Sequence, residues 1–466
     1  MPFDILALLR DQRGRNYDLH REHINPQCAK VLKTIGFDRC YEKAEGQYLW
    51  DVHGRKYLDM LGGYAVFNMG RNHPDIRRAL GDFLNAEYAS LVQMEAPLLS
   101  GLLAEQLKAR VGRDLDLVYF TNSGAEGVET ALKFARCATR RARVVHCTKA
   151  FHGLSTGALS VNGDHSFRDG FAPFLPGCTA IAFNDLAALE AELAAGDVAA
   201  FIVEPIQGKG VNLPAAGYLA EAARLCHRHG ALFIADEIQT GMGRTGTFLA
   251  LDQEEGCEPD MVIVSKALSG GFVPVGAVLM RKGIYQKVFS SMERAVVHSS
   301  TFGQGSLAMV AGLASLAVLE EHDLAGNAQR MGGLLKDGLE AIRSRFEFIS
   351  EIRQRGLMIG IQFGKPRSLS LKTAWALIHK MDANLFPQAV TMPLLDKHGV
   401  LTQVAGHNTD CVKLIPPLVI NEDDVRWFLD AFEQVMADIH QFPGPVWGVL
   451  RDLGKHAVSK REQVQA

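Results

Sequence analysis

The chain has 466 residues, of which 47% are hydrophobic and 22% charged, and its formal net charge is -3. That balance suits a globular protein with apolar surface for a large core, and the length suggests two or three units. The near-neutral charge leaves no basic field for nucleic acid, and no apolar run approaches the roughly 18–20 uninterrupted residues that span a bilayer.

The N-terminus, "MPFDILALLRDQRGR", lacks the long apolar centre of a signal peptide. Eight cysteines at 28, 40, 137, 147, 178, 226, 257 and 411 form no CxxC pair and no zinc-like spacing. A reduced, cytoplasmic protein without a metal site is the expectation.

Between about 115 and 280, short apolar runs alternate with helical patterns: "DLVYFT", "RVVHC", "VAAFIVEP", "ALFIADE", "MVIVS" and "VPVGAVLM". The alternation predicts an α/β fold, a mostly parallel sheet with helices on both faces, whose ligands gather at the carboxyl ends of the strands. After the first run, Ser123 and Gly124 open a strong helix in "FTNSGAEGVETALKFAR". They read as a cradle of backbone N–H groups for a phosphate, or as an ordinary helix cap. After the second run, "KAFHG" offers Phe151 and His152, a flat partner for a ring or simply core.

Asp236 and Glu237 close "ALFIADE", and Lys266 follows "MVIVS" in a Ser- and Gly-rich turn. A strand-end lysine is most simply a return to water. Sharing a crevice with Asp236, it instead points to pyridoxal phosphate: the amine forms a Schiff base, and the carboxylate keeps the pyridine nitrogen protonated. "GMGRTG", residues 241–246, matches a dinucleotide fingerprint with Asp260 about 20 residues on. Three residues separate it from its strand, however, and the text that follows makes a poor crossover helix, so it reads as a decoy.

From about 305, "SLAMVAGLASLAVLEEHDL" predicts a long helix. An α/β segment with "VKLIPPLVI" and a closing amphipathic helix near 422–440 come after it. The predicted organisation is an N-terminal segment 1–60 joining a small domain, a large cofactor domain 61–325, the small domain 326–440 and a tail 441–466. In the tail, Trp447, Val449, Leu450 and Leu453 could pack on the body or touch lipid.

"TNSGAEGVETALKFAR", "EPIQG", "FIADEIQTGMGRTG", "VIVSKALSGGFVPVGAV" and "STFGQGSLA" appear in the order and spacing of the class III aminotransferases. The chain resembles this pyridoxal-phosphate family of ornithine, acetylornithine, putrescine and 4-aminobutyrate aminotransferases over roughly residues 30–440. The resemblance implies fold type I and a homodimer with shared active sites, moving an amino group from a small-molecule donor to a carbonyl acceptor. It also implies that Lys266 is the Schiff-base lysine, Asp236 the partner of the pyridine nitrogen and Gln239 a contact to the ring hydroxyl. Ser123, Gly124 and Ala125 are implied at the phosphate, Phe151 and His152 at the ring, and Glu204 at the cofactor. Thr301 is implied to reach the phosphate from the neighbouring subunit, and Tyr64, Lys209 and Lys413 to face substrate.

Two departures bear on substrate. Members that handle amino acids carry an arginine where "CVKLIPPLVI" places Lys413, and a glutamate where "EPIQGKGVNLP" places Lys209. An ammonium cannot reproduce the two parallel hydrogen bonds of a guanidinium to a carboxylate. Residues 380–408 also exceed the shorter turn of many members and hold Leu385, Phe386, Val390, Met392, Leu394 and Leu395. They are expected either near the active-site mouth or in domain packing. These features resemble the branch associated with hopanoid and prodigiosin biosynthesis and predict a hydrophobic, lipid-like or polyketide-like substrate. The alternatives are an ornithine-, putrescine- or 4-aminobutyrate-type enzyme and a non-catalytic dimeric scaffold.

Overall fold

The computed structural model describes residues 3–90, 92, 94–381, 385–406, 409–441, 444 and 447. Near the N-terminus, β1 (Tyr41–Glu45), β2 (Tyr48–Asp51) and β3 (Lys56–Asp59) form an antiparallel meander. The central sheet has seven strands: β4 (Leu117–Thr121), β5 (Arg143–Cys147), β6 (Cys178–Ile181), β7 (Val198–Val203), β8 (Leu232–Asp236), β9 (Met261–Val264) and β10 (Gly276–Met280). Their order across the sheet is β4-β10-β9-β8-β7-β5-β6, and β10 alone runs antiparallel to its neighbours. Six of the seven correspond to the apolar runs of the sequence. The seventh, β6, is a short, partly exposed edge strand whose "CTAI" carries too little apolar signal to stand out.

Every residue of β7, β9 and β10 is buried, as expected where helices cover both faces. The pleat sends alternate residues to two separate cores. Ala200, Ile202, Ile234 and Ile263 pack under the helix Gly124–Thr139, whereas Phe201, Val203, Phe233 and Val262 join the larger core on the other face. The helix Ser306–Glu321 is apolar nearly all round and lies in that larger core.

Toward the C-terminus follow β11 (Ile349–Arg355), β12 (Met358–Phe363), β13 (Val400–Leu401), β14 (Gln403–Val404) and β15 (Cys411–Leu414). The order β11-β12-β15-β14 makes an antiparallel sheet packed by the helix Leu324–Arg343, on which the helix Glu422–His440 lies in turn. The last helix starts from a capping box of Asn421 and Asp424. β13 leaves this group and pairs in parallel with β3, tying the two ends of the chain together.

Trp447 packs against Phe348 and Phe386 and donates to Ile439 O, while Val449, Leu450 and Leu453 lie outside the described residues. No helix among the described residues is long and apolar enough to cross a membrane. All eight cysteines are free thiols.

Candidate active site

The parallel strands of the central sheet deliver their polar residues to one edge, because strands that run in one direction all end there. Glu204 follows β7, Asp236 ends β8, Lys266 lies just beyond β9, and Gly124 opens the helix after β4. These residues, with Ala125, Phe151 and His152, line a largely apolar cavity of about 890 Å³. Asp236 and Glu237 are neighbours in sequence but separate in space. Asp236 faces the cavity, while Glu237 turns away and accepts the N–H groups of Ala250 and Leu251.

Asp236 is fixed on both carboxylate oxygens: Oδ2 is 2.7 Å from His152 Nδ1, and Oδ1 accepts the Ile238 N–H at 3.1 Å. Burial works against charge on His152. The Asp236 bond and the charges of Asp236 and Glu204 outweigh it, and the imidazole pKa rises above its ordinary value. Its Nε2 is buried without a hydrogen-bond partner among the described residues. Glu204 accepts the Phe151 N–H and the Gly208 N–H, each at 2.9 Å, so it anchors two loops of the cavity wall. Burial raises the Glu204 pKa, against the pull of His152.

Lys266 sits at φ +45°, a strained left-handed position at the start of the short 3-10 helix Lys266–Ser269. Burial lowers its pKa while Asp236 and Glu204 oppose the change, so the neutral amine is more accessible than in water. Ser123 Oγ accepts the Glu126 N–H and caps the helix, leaving Gly124 and Ala125 as the part of the cradle that faces the cavity.

Tyr64 reaches the cavity from a turn of unusual hand. Gly62, Gly63, Tyr64 and Ala65 take φ of 55°, 59°, 61° and 71°. Asp59 accepts the N–H groups of Leu61 and Gly62, and Arg71 pairs with Asp59 at 2.8 Å. A Cβ on Gly62 would lie 2.2 Å from Ile415 O, so no other residue fits there. Gln239 links this turn to the far wall: its Nε2 donates to Tyr64 O at 3.2 Å, and its Oε1 accepts from Lys413 Nζ at 3.2 Å.

Both departing lysines are already engaged. Lys413, buried on β15, also donates to Gly208 O at 2.8 Å, and burial reinforced by the Lys266 charge pushes its pKa down to about 7. Lys209 forms an ion pair with Asp164. Burial would raise the Asp164 pKa, but its bonds from Lys209 and Ser166 hold it below the usual carboxylate range. No arginine is among the described residues lining the cavity.

The long segment divides between the two expectations: Gln403, Val404, Ala405 and Gly406 line the cavity, while the apolar residues singled out in the sequence pack into the domain. Residues Leu385–Asp396 form a helix whose Phe386, Val390, Leu394 and Leu395 are buried, Phe386 against Phe348, Phe363 and Trp375. Leu385 and Met392 are half-buried, and neither lines the cavity. The helix gives the cavity only Gln388. Residues 382–384 and 407–408 lie outside the described residues. Aromatic lining comes from Phe167, in edge contact with Phe151 at 5.4 Å. Phe167 and Asp164 went unnoticed in the sequence because "GDHSFRDG" carries no motif. The one available signal was an aromatic in a polar loop just beyond "KAFHG".

Thr301 is exposed and outside the cavity, beside Phe302, which is 65% exposed. "GMGRTG" makes a buried turn followed only by the short 3-10 helix Ala250–Gln253, not by a crossover helix. Arg244 donates to Leu357 O, Pro416 O and Asn68, clamping the two parts of the chain together. Asp260, the expected ribose ligand of a dinucleotide site, instead accepts the Phe233 N–H.

The residues present fit pyridoxal phosphate. A fixed buried carboxylate, a buried amine of lowered pKa, an aromatic face and a helix N-terminus open onto one cavity, beside an imidazole Nε2 still lacking a partner. Comparison with known proteins agrees. The family described as aminotransferase class-III matches residues 33–436. Aminotransferase PigE of Serratia sp. strain ATCC 39006 is 33% identical over 94% of this chain, which spans only 55% of PigE. The ornithine aminotransferase of Bacillus cereus strain Q1 is 36% identical, covering 85% of this chain and 92% of its own. Among solved structures, the Toxoplasma gondii ornithine aminotransferase, with partial occupancy of PLP at its active site, superposes with TM-score 0.82. It is 30% identical and covers 94% of this chain and 99% of its own.

Proposed function

The chain belongs to the class-III aminotransferases, PLP-dependent enzymes of fold type I, and from that premise we propose that it aminates or deaminates the end of an apolar skeleton. In this reading a small amino acid serves as donor. The observation that carries it is the engagement of Lys413 and Lys209 where relatives acting on amino acids are expected to hold an arginine and a glutamate. A substrate carboxylate would have to displace Gly208 O and Gln239 from one lysine, or Asp164 from the other. An apolar body needs neither exchange and meets Phe151, Phe167 and Tyr64.

Bound pyridoxal phosphate supplies the carbonyl that carries the amino group and the ring that accepts electrons from the substrate carbon. Lys266 Nζ would hold the cofactor and, once displaced by substrate, would act as the base that moves the proton between the substrate carbon and the cofactor. Asp236, oriented by His152, would keep the ring nitrogen protonated. Phe151 would cover the ring and Gln239 would meet its hydroxyl, while Glu204 braces the wall through Phe151 and Gly208. Ser123 caps the phosphate helix, whose first N–H groups at Gly124 and Ala125 would hold the dianion.

Thr301 completes the phosphate site of a second copy in a homodimer. Exposed Met94, Met292, Val296 and Phe302 support that assembly, because apolar side chains so open in one protomer are what a second copy covers. The division at residues 60, 325 and 440 and a cytoplasmic location belong to the same reading.

An ornithine-type specificity is the second reading, favoured by the Bacillus relative. The test is kcat/KM across a matched series from short ω-amino acids to long-chain amines. Rising values with apolar length support the proposal, and a preference for ornithine or 4-aminobutyrate overturns it.

A further inference from the structure

Away from the cavity, His73, Asp75 and His322 present ligand atoms that all lie within 4.8 Å of one another. His73 caps the helix Pro74–Asn85, Asp75 lies in its first turn, and His322 comes from the end of the separate helix Ser306–Glu321. Asp75 Oδ2 is 3.9 Å from His73 Nδ1 and 4.0 Å from His322 Nε2, and the two imidazoles meet edge to face at 5.4 Å. Arg78 holds the other oxygen, Oδ1, at 2.7 Å, which leaves Oδ2 turned toward the imidazoles.

We infer that these three side chains form a zinc site that fastens the two helices seating the Lys266 turn. Two imidazoles and one carboxylate suit Zn²⁺ and not Mg²⁺ or Ca²⁺, which take oxygen ligands. A tetrahedral zinc ion with bonds of about 2.0–2.2 Å wants its ligand atoms about 3.4 Å apart, so each imidazole would approach Oδ2 by ~0.5 Å and no pair of ligand atoms would close by more than ~1.4 Å. Asp75 and His322 have room to move, being partly exposed. One contact must be given up, the long 3.3 Å bond from the Asp75 N–H to His73 Nδ1. Water completes the coordination. His73 and His322 lie far apart in the sequence, so no spacing rule reveals the set.

The position gives the site its meaning. Ile76, next to Asp75, is fully buried, and the place where Gly270 would carry a Cβ is 2.5 Å from Ile76 Cδ1 and 3.0 Å from Ser315 Oγ. Gly270 caps the short helix that begins at Lys266. Ile76 and Ser315 therefore bracket the lysine turn from the two helices that zinc would join.

The test uses untagged, cofactor-loaded protein stripped with a chelator and then titrated with Zn²⁺ against a chromophoric competitor, with Mg²⁺ as control. One equivalent per protomer and a rise in Tm are expected with Zn²⁺ alone. His322→Ala should lose both while matching the parent's metal-free Tm and turnover, and Asp75→Asn should weaken binding at least tenfold. Co²⁺ should give visible bands of nitrogen and oxygen ligation. Zinc binding that His322→Ala leaves unchanged, no Tm shift in the parent, or a thiolate-to-cobalt band placing the metal on cysteine would each overturn the inference.

Discussion

Lys413 is where a single side chain has the most to say about specificity. A charge-assisted hydrogen bond contributes roughly 1.5–3 kcal/mol, so restoring the fork with Lys413→Arg should raise kcat/KM for carboxylated substrates about tenfold or more. Apolar amines should gain nothing. The lysine's charge adds a pH signature. Its pKa is pushed down to about 7, so the cation that attracts a carboxylate is present below that pH and lost above it. Selectivity for carboxylated over uncharged-bodied substrates should fall as pH rises through 7 in the parent and stay level in Lys413→Arg. A pH-independent ratio in the parent would remove Lys413 from substrate recognition. For Lys266→Ala, borohydride reduction should leave no cofactor mass on the 261–271 peptide, and turnover should fall by several orders of magnitude with the fold intact. Lys266 and Asp236 were legible in the sequence because a charged residue at the end of an apolar strand is conspicuous. Asp164, which neutralises Lys209, was not, because the pair is made by two loops that share no local pattern.

At the scale of elements, the left-handed turn Gly62–Ala65 is the most exacting piece of backbone. Gly62→Ala meets both a positive φ and the Ile415 carbonyl. The conformation alone costs roughly 1–2 kcal/mol, and the contact adds to it, so a loss of at least about 2 kcal/mol should appear as a lower Tm. Tyr64 rides on that turn, so KM should rise in the same variant more than kcat falls. A Tm equal to the parent's would mean that the turn relaxes freely. Elements also divide what the sequence revealed from what it hid. Strands buried on both faces declared themselves by uninterrupted apolar text, and the capped helix Glu422–His440 by its period. The apolar residues of 385–395 could not be assigned from text alone, because a helix side facing a domain core and one facing a ligand are equally apolar. The neighbours that settle it, Phe348, Phe363 and Trp375, come from other elements.

On the scale of the whole molecule, the proposed assembly makes each active site a joint product of two chains. Lys266→Ala protomers mixed with Thr301→Ala protomers should recover about a quarter of the parent activity after subunit exchange, since half the dimers are hybrids with one intact site each. No recovery after exchange verified by mass would argue against a shared site. The pairing of β3 with β13 carries a further consequence, for the timetable of synthesis. Leu58 and Asp59 leave the ribosome long before their partners Val400 and Leu401 exist, so the edge they present waits open while most of the chain is made. The strand edge holding the Tyr64 turn is thus among the last parts of the protein to close, an interval in which a chaperone has something to hold. Nascent chains arrested before residue 400 should expose β3 to proteolysis, and chains released after it should not.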